Sequence, residues 1–371
     1  MIRNILIYFA IFFGAFFVSL LLVPVCRRVA FALDVVDHPA ERKVHTRVMP
    51  LLGGLAVFLS FLVVSFSGVI TVFSFNTFPF FQDLFPGLFF MRGGIQQVLH
   101  KFYFLIAGGV LIFLIGFMDD YLGERFSTRY KFIGQILAAL LVTFGGIRLS
   151  IFHNVVLDGL LSIIWIVGIT NAFNLLDNMD GLTAGVAVIS LSIFFFVALL
   201  QGQFFITLIL LALCGAIAGF LVYNFPPAKI FLGDAGSLFI GFFLGAFTVM
   251  ESYATKTHPT LFPVLMPLIT LSVPLLDTFS VMVIRIKNRQ PIYKADKNHL
   301  SHRLVALGMT HRQAVLFIYL ITFSLGIGAT LLTMTSLQGN IIITVQTLAM
   351  ISLILIIMAK KNIAEKSSNG A

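Results

Sequence analysis

The sequence alternates between long apolar runs and short polar segments along its whole length. Eleven of these runs are predicted to form helices that cross about 30 Å of hydrocarbon. Several are short for a full crossing, notably the fourth, fifth and eighth, as is typical where functional segments enter the membrane. The pattern predicts an all-α fold, a polytopic membrane helix bundle of about eleven transmembrane helices. The predicted spans are Ile5–Cys26, Leu51–Phe73, Phe102–Met118, Phe132–Gly146, Gly159–Phe173, Leu182–Leu200, Phe204–Val222, Leu238–Met250, Leu261–Ile284, Ala314–Thr335 and Ile341–Met358.

The composition excludes an ordinary soluble protein and a disordered chain. Of 371 residues, 59% are hydrophobic and 11% are charged, whereas a soluble domain carries about 25% charged residues. The two cysteines, Cys26 and Cys214, both lie in apolar runs, which provides neither a disulfide framework nor a metal-type cysteine spacing. The first run is too long for a signal peptide. We therefore expect one integral-membrane domain over residues 1–371, ending in a short cytoplasmic tail at 360–371.

The distribution of charge predicts the orientation in the membrane. Of the 24 Lys and Arg residues, 19 follow odd-numbered spans, which places those loops and the C-terminus in the cytoplasm and the N-terminus outside. This topology explains the net charge of +9, and the 42 Phe residues with few basic neighbours give no support for binding nucleic acid. However, 11 of the 15 acidic residues lie on the same face. We infer a cytoplasmic site that needs carboxylates and cations together.

The first two cytoplasmic loops each have two interpretations. Lys43 and His45 belong to a basic cluster that precedes a Pro-Leu-Leu-Gly-Gly turn, and by itself this cluster favours contact with anionic lipid over binding of a phosphorylated substrate. Asp119 and Asp120 end the third span, where a helix C-terminus disfavours negative charge. They call for a cation, which could be Mg²⁺ or a nearby basic residue such as Lys131.

The third loop gathers acids and amides without a basic residue among them. Asn171, Asn174, Asp177, Asn178 and Asp180 lie within ten residues at the end of an apolar span. Such groups are costly at a membrane edge unless they have partners, so a merely solvated loop is disfavoured. Their oxygen atoms suit Mg²⁺ and can also bind a ribose or a base.

The fourth loop contains a Gly-Asp-Ala-Gly-Ser sequence immediately before the eighth span. Gly233 and Gly236 are predicted to leave backbone N–H groups at a helix N-terminus free to approach phosphate oxygens. Asp234 could hold a bridging metal. Ser237 could instead be a simple N-cap, an interpretation that accounts for Ser237 but leaves Asp234 unexplained.

The fifth loop is the most basic segment of the chain. His299 and His302 are three residues apart and would share one face of a helix, but further zinc ligands are not evident nearby. Anion recognition is therefore favoured, with a membrane-surface helix as the alternative. Taken together, the five loops predict a metal-assisted phosphoryl-transfer site. The candidate cations of this loop are Lys294, Lys297, His299, His302 and Arg303.

These motifs, in this order, resemble those of the polyprenyl-phosphate N-acetylhexosamine-1-phosphate transferases, glycosyltransferase family 4. The first-loop motif and the eleven spans are similar to the branch that acts on UDP-N-acetylglucosamine-type donors. Ser301 stands where many relatives have a further His, which leaves His299, His302 and Arg303 as the matching residues. The segments that carry the resemblance are R-K-V-H-T-R-V-M-P-L-L-G-G, M-D-D-Y-L-G, N-A-F-N-L-L-D-N-M-D-G-L, F-L-G-D-A-G-S and H-L-S-H-R-L.

The resemblance implies transfer of an N-acetylhexosamine 1-phosphate, chiefly GlcNAc-1-phosphate, from a UDP-sugar to undecaprenyl phosphate with release of UMP. This reaction would begin a lipid-linked cell-envelope glycan at the bacterial plasma membrane, such as the cell wall or lipopolysaccharide O-antigen. The implied cofactor is Mg²⁺, which Mn²⁺ could replace. The implied partners are the UDP-N-acetyl-sugar, undecaprenyl phosphate and membrane lipids, and a homodimer is compatible. A phospho-MurNAc-pentapeptide or other UDP-amino-sugar transferase is the alternative, and a transporter is a remote one.

The resemblance also implies roles for individual residues. Asn174 and Asp234 would hold Mg²⁺, while Asp119 and Asp120 would position or deprotonate the lipid phosphate. A phosphate monoester has a second pKa of about 6 and is already largely ionised, so positioning is favoured for at least one of the two. Asp277, inside the ninth span, is predicted to have a structural or supporting role. The remaining substrate-binding candidates are Lys131, Asn171, Asp177, Asp180, His299, His302, Arg303, Lys43 and His45.

Overall fold

The computed structural model describes residues 2–39, 47–74, 86–250, 265–291 and 298–368. These residues fold into a helical bundle, in which two-residue strands, β1 (Val36–Asp37) and β2 (Met49–Pro50), pair antiparallel beside the helices. The helices are α1 Ile2–Ala32, α2 Gly53–Ser74, α3 Pro86–Leu122, α4 Thr128–Phe144, α5 Val155–Leu176, α6 Leu182–Leu200, α7 Phe204–Asn224, α8 Gly233–Met250, α9 Met266–Thr270, α10 Ser272–Lys287, α11 Leu300–Ala306, α12 His311–Leu331 and α13 Leu337–Ser368.

The helical membrane class predicted from the sequence is confirmed. Within the described ranges, nine helices are long and apolar enough to cross a membrane, compared with about eleven predicted spans. The difference lies at the fourth span, where α4 has 17 residues, and at the ninth, where the helix is divided at Leu271 into α9 and α10. Residues 360–368 of the predicted tail continue α13.

Two spans that look short in the sequence are longer in the structure. Helix α5 has 22 residues and α8 has 18, because each helix continues beyond its apolar stretch into polar turns. The added polar side chains, such as Asp158 and Ser237, hydrogen-bond within the protein. Hydropathy therefore underestimates the length of a helix when the polar side chains at its ends are hydrogen-bonded within the protein.

Helix α8 forms the centre of the bundle and packs against α2, α3 and α5. Every residue of α8 except Asp234 and Met250 is buried. Phe239 and Phe243 contact the rings of Phe58 and Phe61 in α2. Phe58 in turn stacks on Phe113 of α3, with ring centroids 4.0 Å apart. This packing fixes the position at which α8 begins.

Glycines bring three helix backbones into contact at the end of the bundle where α3 ends and α8 begins, which we call the site end. A Cβ atom at Gly54 would lie 2.3 Å from the backbone nitrogen of Gly236. One at Gly116 would lie 2.5 Å from the carbonyl oxygen of Asp234. Small residues allow such approach between membrane helices. As a result, the last turn of α3 and the first turn of α8 lie side by side.

The opposite end of the bundle contains a buried carboxylate that stabilises a loop. Asp158, in the first turn of α5, is 3% exposed. Its Oδ1 accepts hydrogen bonds from the backbone N–H groups of Ile151 and Phe152 at 3.2 and 2.9 Å. Asp158 thus closes the loop between α4 and α5, far along these helices from the site end.

Candidate active site

Lys131 lies between two carboxylates at the site end. Its Nζ donates a hydrogen bond to Asp119 Oδ2 at 3.0 Å and a second to Asp234 Oδ2. Lys131 comes from the first turn of α4, Asp119 from the end of α3 and Asp234 from the start of α8. The three side chains are only 15–30% exposed. Three of the predicted site residues therefore form one charged cluster at the meeting point of three helices.

Asp120 caps the N-terminus of α8. Its two oxygens accept hydrogen bonds from the backbone N–H groups of Asp234 and Ala235, at 2.7 and 2.9 Å. Gly233 allows this approach, since it has a φ of +73° and a Cβ there would lie 2.6 Å from Asp120 Oδ2. The expectation that these N–H groups are free for substrate phosphate is therefore wrong for Asp234 and Ala235. The α8 dipole favours the carboxylate at this position.

Asn174 joins the third predicted loop to the start of α8. Its Nδ2 donates to Asp234 Oδ1 at 2.8 Å and to Ser237 Oγ at 2.9 Å. The interpretation of Ser237 as an N-cap is wrong, because α8 already begins at Gly233 and Ser237 is the fifth residue of the helix. Asn174 and Asp234 are in direct contact, as a shared site requires.

Asn171 is held by a residue that the sequence did not suggest. Gln135 Nε2 donates to Asn171 Oδ1 at 3.3 Å, and Asn171 Nδ2 donates to Gln135 Oε1 at 2.5 Å. Gln135 is buried and lies four residues after Lys131, on the same face of α4. The available signal was this single amide in an otherwise apolar stretch. Asn171 thus lies beside the charged cluster, with its side chain engaged by Gln135.

The turn between α5 and α6 is fixed from several sides. Asp180 Oδ2 accepts a hydrogen bond from the backbone N–H of Ala228 at 2.9 Å, which ties the turn to the loop before α8. Gly181 donates its N–H to Asn224 Oδ1 at 3.0 Å, and its carbonyl oxygen accepts from the Tyr319 hydroxyl. Asn224 and Tyr319 were not anticipated. Asp180 therefore stabilises the turn by linking it to the loop before α8.

Asp177 follows the last residue of α5 and lies close to two other acids. The pKa of Asp177 is raised to about 7, chiefly by burial. The charges of Asp234 and Asp180 contribute to this rise, and a hydrogen bond from the Thr183 side chain opposes it. A buried carboxyl of this kind gains from a nearby cation when it ionises. A cation or a hydrogen-bond donor of a substrate bound beside Asp177 would therefore favour the ionised form of its carboxyl group.

The fifth predicted loop begins α11 and reaches the same turn. Ser301 Oγ donates to Asn178 Oδ1 at 2.5 Å. His299 and His302 have ring centroids 6.4 Å apart, and buried Arg303 donates through Nε to the Asn298 carbonyl at 2.7 Å. The position of Ser301 is thus explained by Asn178. Four of the predicted basic residues lie outside the described residues, namely Lys43, His45, Lys294 and Lys297.

The donor atoms of the cluster suit a hard divalent cation. Asp119 and Asp234 already converge on one cationic group, the Lys131 ammonium. Among the residues that the structure describes, there is no group of three or more His, Cys, Asp or Glu side chains that could hold a metal ion by itself. A cation bound here would therefore take further ligands from amide oxygen, water or substrate phosphate. That donor set fits Mg²⁺, which uses one or two carboxylates together with phosphates.

Comparison with known proteins identifies the family. Residues 102–252 match the family model described as Glycosyl transferase family 4. The probable undecaprenyl-phosphate N-acetylglucosaminyl 1-phosphate transferase of Bacillus subtilis (strain 168) is 37% identical over 331 residues, which cover 86% of this chain and 84% of that protein. The chain belongs to glycosyl transferase family 4.

Other members of family 4 are similar over most of their length. The decaprenyl-phosphate N-acetylglucosaminephosphotransferase of Mycobacterium leprae (strain TN) is 34% identical, over 78% of this chain and 74% of that protein. The undecaprenyl-phosphate alpha-N-acetylglucosaminyl 1-phosphate transferase of Escherichia coli (strain K12) is 28% identical, over 79% and 75%. The family predicted from the motifs is confirmed. The matched segment contains the whole charged cluster, and the α11 residues lie beyond it.

Proposed function

We propose that this family 4 protein transfers N-acetylglucosamine 1-phosphate from UDP-N-acetylglucosamine to undecaprenyl phosphate and releases UMP. The names of the Bacillus, Mycobacterium and Escherichia relatives all describe transfer of phospho-N-acetylglucosamine to a polyprenyl phosphate. The observation that carries the proposal is the Lys131 ammonium between Asp119 and Asp234. One ammonium group and two carboxylates are thus available to bind and order the anionic phosphates of the two proposed substrates.

The proposed reaction joins two anions. An oxygen of the polyprenyl phosphate attacks the phosphorus that carries the sugar, a new P–O bond forms, and the bond to the bridging oxygen of the diphosphate breaks. UMP leaves with the electron pair of that bond, and the product is a polyprenyl diphospho-sugar. Most of the barrier that an enzyme can lower is electrostatic, so positioning and charge neutralisation dominate.

The chain's own residues divide this work. Lys131 would turn from the carboxylates to the phosphates, since an ammonium on a flexible stem suits a phosphate as a point charge. Asp119, whose side chain is 21% exposed, would orient the acceptor phosphate. Asp120 would hold the start of α8 so that Asp234 faces the substrate. Mg²⁺, when bound near Asp234 and Asn174, would neutralise charge on the diphosphate.

The donor nucleotide and sugar would be recognised around the turn between α5 and α6 and at α11. Asn171, Asp177 and Asn178 offer amide and carboxyl groups there, while His302 and Arg303 offer hydrogen-bond donors for an anion. Asp180 would act indirectly, by stabilising the loop before α8. Lys43 and His45 stay proposed substrate-binding residues from the sequence pattern.

We place this activity at the cytoplasmic face of a bacterial plasma membrane. The site end carries the loops with the excess of Lys and Arg, and the positive-inside rule assigns such loops to the cytoplasm. The N-terminus would then lie outside and the C-terminus inside. A UDP-sugar is a cytoplasmic metabolite class, which is consistent with this orientation. The homodimer considered from the sequence stays a prediction.

The proposal is tested with the purified full-length protein in detergent or nanodiscs. UMP release would be measured with undecaprenyl phosphate, Mg²⁺ and, in separate reactions, UDP-N-acetylglucosamine, UDP-MurNAc-pentapeptide and other UDP-amino sugars. We expect the highest kcat/KM for UDP-N-acetylglucosamine, no release without the lipid, and loss of release in EDTA that Mg²⁺ restores. Preference for another donor would overturn the sugar assignment. Full activity in EDTA would contradict the proposed requirement for Mg²⁺.

Lys131→Met and Lys229→Met form a matched pair for the observation that carries the proposal. Lys229 is an exposed residue in the loop before α8, and its backbone N–H bonds to Tyr223. Removal of an electrostatic stabiliser costs about 100- to 1,000-fold in kcat, so we expect a loss of this size for Lys131→Met. Lys229→Met should keep activity within about twofold. Equal rates in the two variants would contradict the role of Lys131.

A further inference from the structure

A buried carboxylate in α10 contacts two consecutive residues at the start of α11. Asp277 Oδ2 lies 2.7 Å from His299 Nδ1, and Asp277 Oδ1 accepts a hydrogen bond from the backbone N–H of Leu300 at 2.6 Å. Asp277 and His299 are 2% and 4% exposed. Both oxygens of one carboxylate are therefore committed to α11, and neither faces lipid or the charged cluster.

This geometry places a hydrogen atom on Nδ1 of His299. A carboxylate oxygen is an acceptor, so the facing Nδ1 must carry a hydrogen atom. Nε2 is then the ring atom left to interact with other groups. An outer partner that sets the tautomer and orientation of a functional His is a recurring arrangement in enzyme sites.

The start of α11 is also tied to the turn that follows α5. Ser301, two residues after His299, donates its hydroxyl to Asn178. Asn178 lies four residues after Asn174, whose amide contacts Asp234. Asp277 of α10 and Asn178 of the turn after α5 thus both hold the start of α11. A shift of α11 at Asp277 would therefore displace the contact with the turn beside the charged cluster.

We propose that Asp277 is a positioning residue for the transferase reaction, acting through His299 and the first turn of α11. It keeps the hydrogen atom of His299 on Nδ1 and directs Nε2 toward the donor substrate. The inference deepens the proposed function and rests on it, because His299 is placed in the site as a substrate-binding residue. Asp277 itself contacts no substrate.

The decisive variant is Asp277→Asn, which keeps the shape of the side chain. Its single amide oxygen would accept from Leu300, so its NH₂ group would face Nδ1 of His299 and move the ring hydrogen to Nε2. We expect kcat/KM for the UDP-sugar to fall by about 10- to 100-fold, the range that loss of an outer partner costs around ligating His residues. The KM for the lipid phosphate should stay unchanged.

Asp158→Asn is the matched control. Asp158 is equally buried and also accepts two hydrogen bonds, but it lies at the opposite end of the bundle. Its variant should melt at a lower temperature and keep kcat/KM within about twofold. If Asp277→Asn only lowered the melting temperature as Asp158→Asn does, with unchanged kcat/KM, Asp277 would be structural and the proposal would be overturned.

A double-mutant cycle tests whether Asp277 acts through His299. If it does, the Asp277→Asn, His299→Gln double variant should be no slower than His299→Gln alone. Losses that multiply would show independent roles and overturn the proposal. Wild-type kinetics in His299→Gln would do the same, because the positioned residue would then not matter to the reaction.

A spectroscopic measurement gives a result even if Asp277→Asn does not fold. In the wild-type protein labelled with ¹⁵N-histidine, the His299 signals are identified by their loss in His299→Gln, and their shifts report which ring nitrogen carries the hydrogen. We expect Nδ1–H, and an Nε2–H form would overturn the proposal. Absence of UMP release in the wild-type protein would instead contradict the proposed function, so the two failures are distinguishable.

Discussion

Asp120 and Asp234 are 114 residues apart in the chain, yet the carboxylate of Asp120 accepts the backbone N–H of Asp234 at 2.7 Å. The neighbouring N–H of Ala235 completes the contact. The end of α3 therefore caps the start of α8, and the side chain of Asp234 is aimed at Lys131 as a consequence. The two adjacent aspartates of α3 have different tasks, since Asp120 faces the backbone of α8 and Asp119 faces Lys131.

The first prediction separates these two aspartates. Asp120→Asn should lower the apparent melting temperature of the purified protein, because an amide has one acceptor oxygen where two N–H groups need one each. Hydrogen bonds to a charged group contribute about 1.5–3 kcal/mol each. Asp119→Asn, the adjacent control, should lose activity and keep its melting temperature. Equal destabilisation of the two variants would contradict the cap.

The second prediction concerns Asp234 and Ser237, one turn apart in α8. Asp234→Asn removes the charge that faces both Lys131 and Asn174, and we expect the rate of UMP release to fall by several orders of magnitude with the protein still folded. Ser237→Ala removes one neutral hydrogen bond from Asn174, worth about 1 kcal/mol, and should cost about fivefold. A larger loss of rate in Ser237→Ala than in Asp234→Asn would refute the role of the Asp234 charge in the reaction.

The third prediction concerns pH and stability. The pKa of Asp177 is raised from 3.8 to about 7 by burial, so between these values the folded chain binds a proton that the unfolded chain has lost. This group's contribution to the free energy of unfolding must therefore fall as pH rises from about 4 to 7. Asp177→Asn removes that contribution.

The measurement is the apparent melting temperature of wild type and Asp177→Asn in detergent from pH 5 to pH 8.5. We expect the wild-type curve to decline more steeply with rising pH, so that the variant becomes relatively more stable at high pH. Parallel curves would mean that Asp177 titrates alike in the folded and unfolded chains.

The fourth prediction uses two glycines of α2. Gly54→Ala should destabilise the protein strongly, because the new Cβ would meet backbone atoms of Gly236 at 2.3–2.4 Å and must push α2 away from α8. Gly68 has no atom within 4 Å of its Cβ position. Gly68→Ala should therefore be neutral, or stabilising by up to about 1 kcal/mol through helix propensity. Thermal unfolding compares the two, and equal effects would argue against the close contact of the helices.

The fifth prediction tests the orientation in the membrane. Lys287→Cys, at the exposed end of α10, should resist a membrane-impermeant thiol reagent in intact cells and react after the cells are opened. Ser150→Cys, exposed at the opposite end before α5, should react in intact cells. The two native cysteines are buried and provide the unlabelled background. The reverse pattern would invert the proposed topology and place the site end outside.

The sequence by itself determined the class of the fold and the family. Apolar runs of membrane length and five ordered motifs are local properties, readable because the hydrocarbon core imposes them on every span. The sequence also predicted that Asn174 and Asp234 share a site and that Asp277 has a supporting role. The first of these inferences rested on the resemblance to the family, and the second on the position of Asp277 inside the ninth predicted span.

The tertiary structure alone decided where helices end and which polar groups are partners. Helix α8 begins at Gly233 and not at Leu238, because Asp120 from α3 supplies the acceptor that its first turn requires. Gln135 was overlooked because its partner, Asn171, lies on another helix. Hydropathy reports what a segment costs in lipid, whereas a polar side chain inside a bundle is stabilised by a partner that is distant in the chain. For that reason the sequence suggested candidate residues for the site, whereas the contacts between their side chains were decided by the tertiary structure.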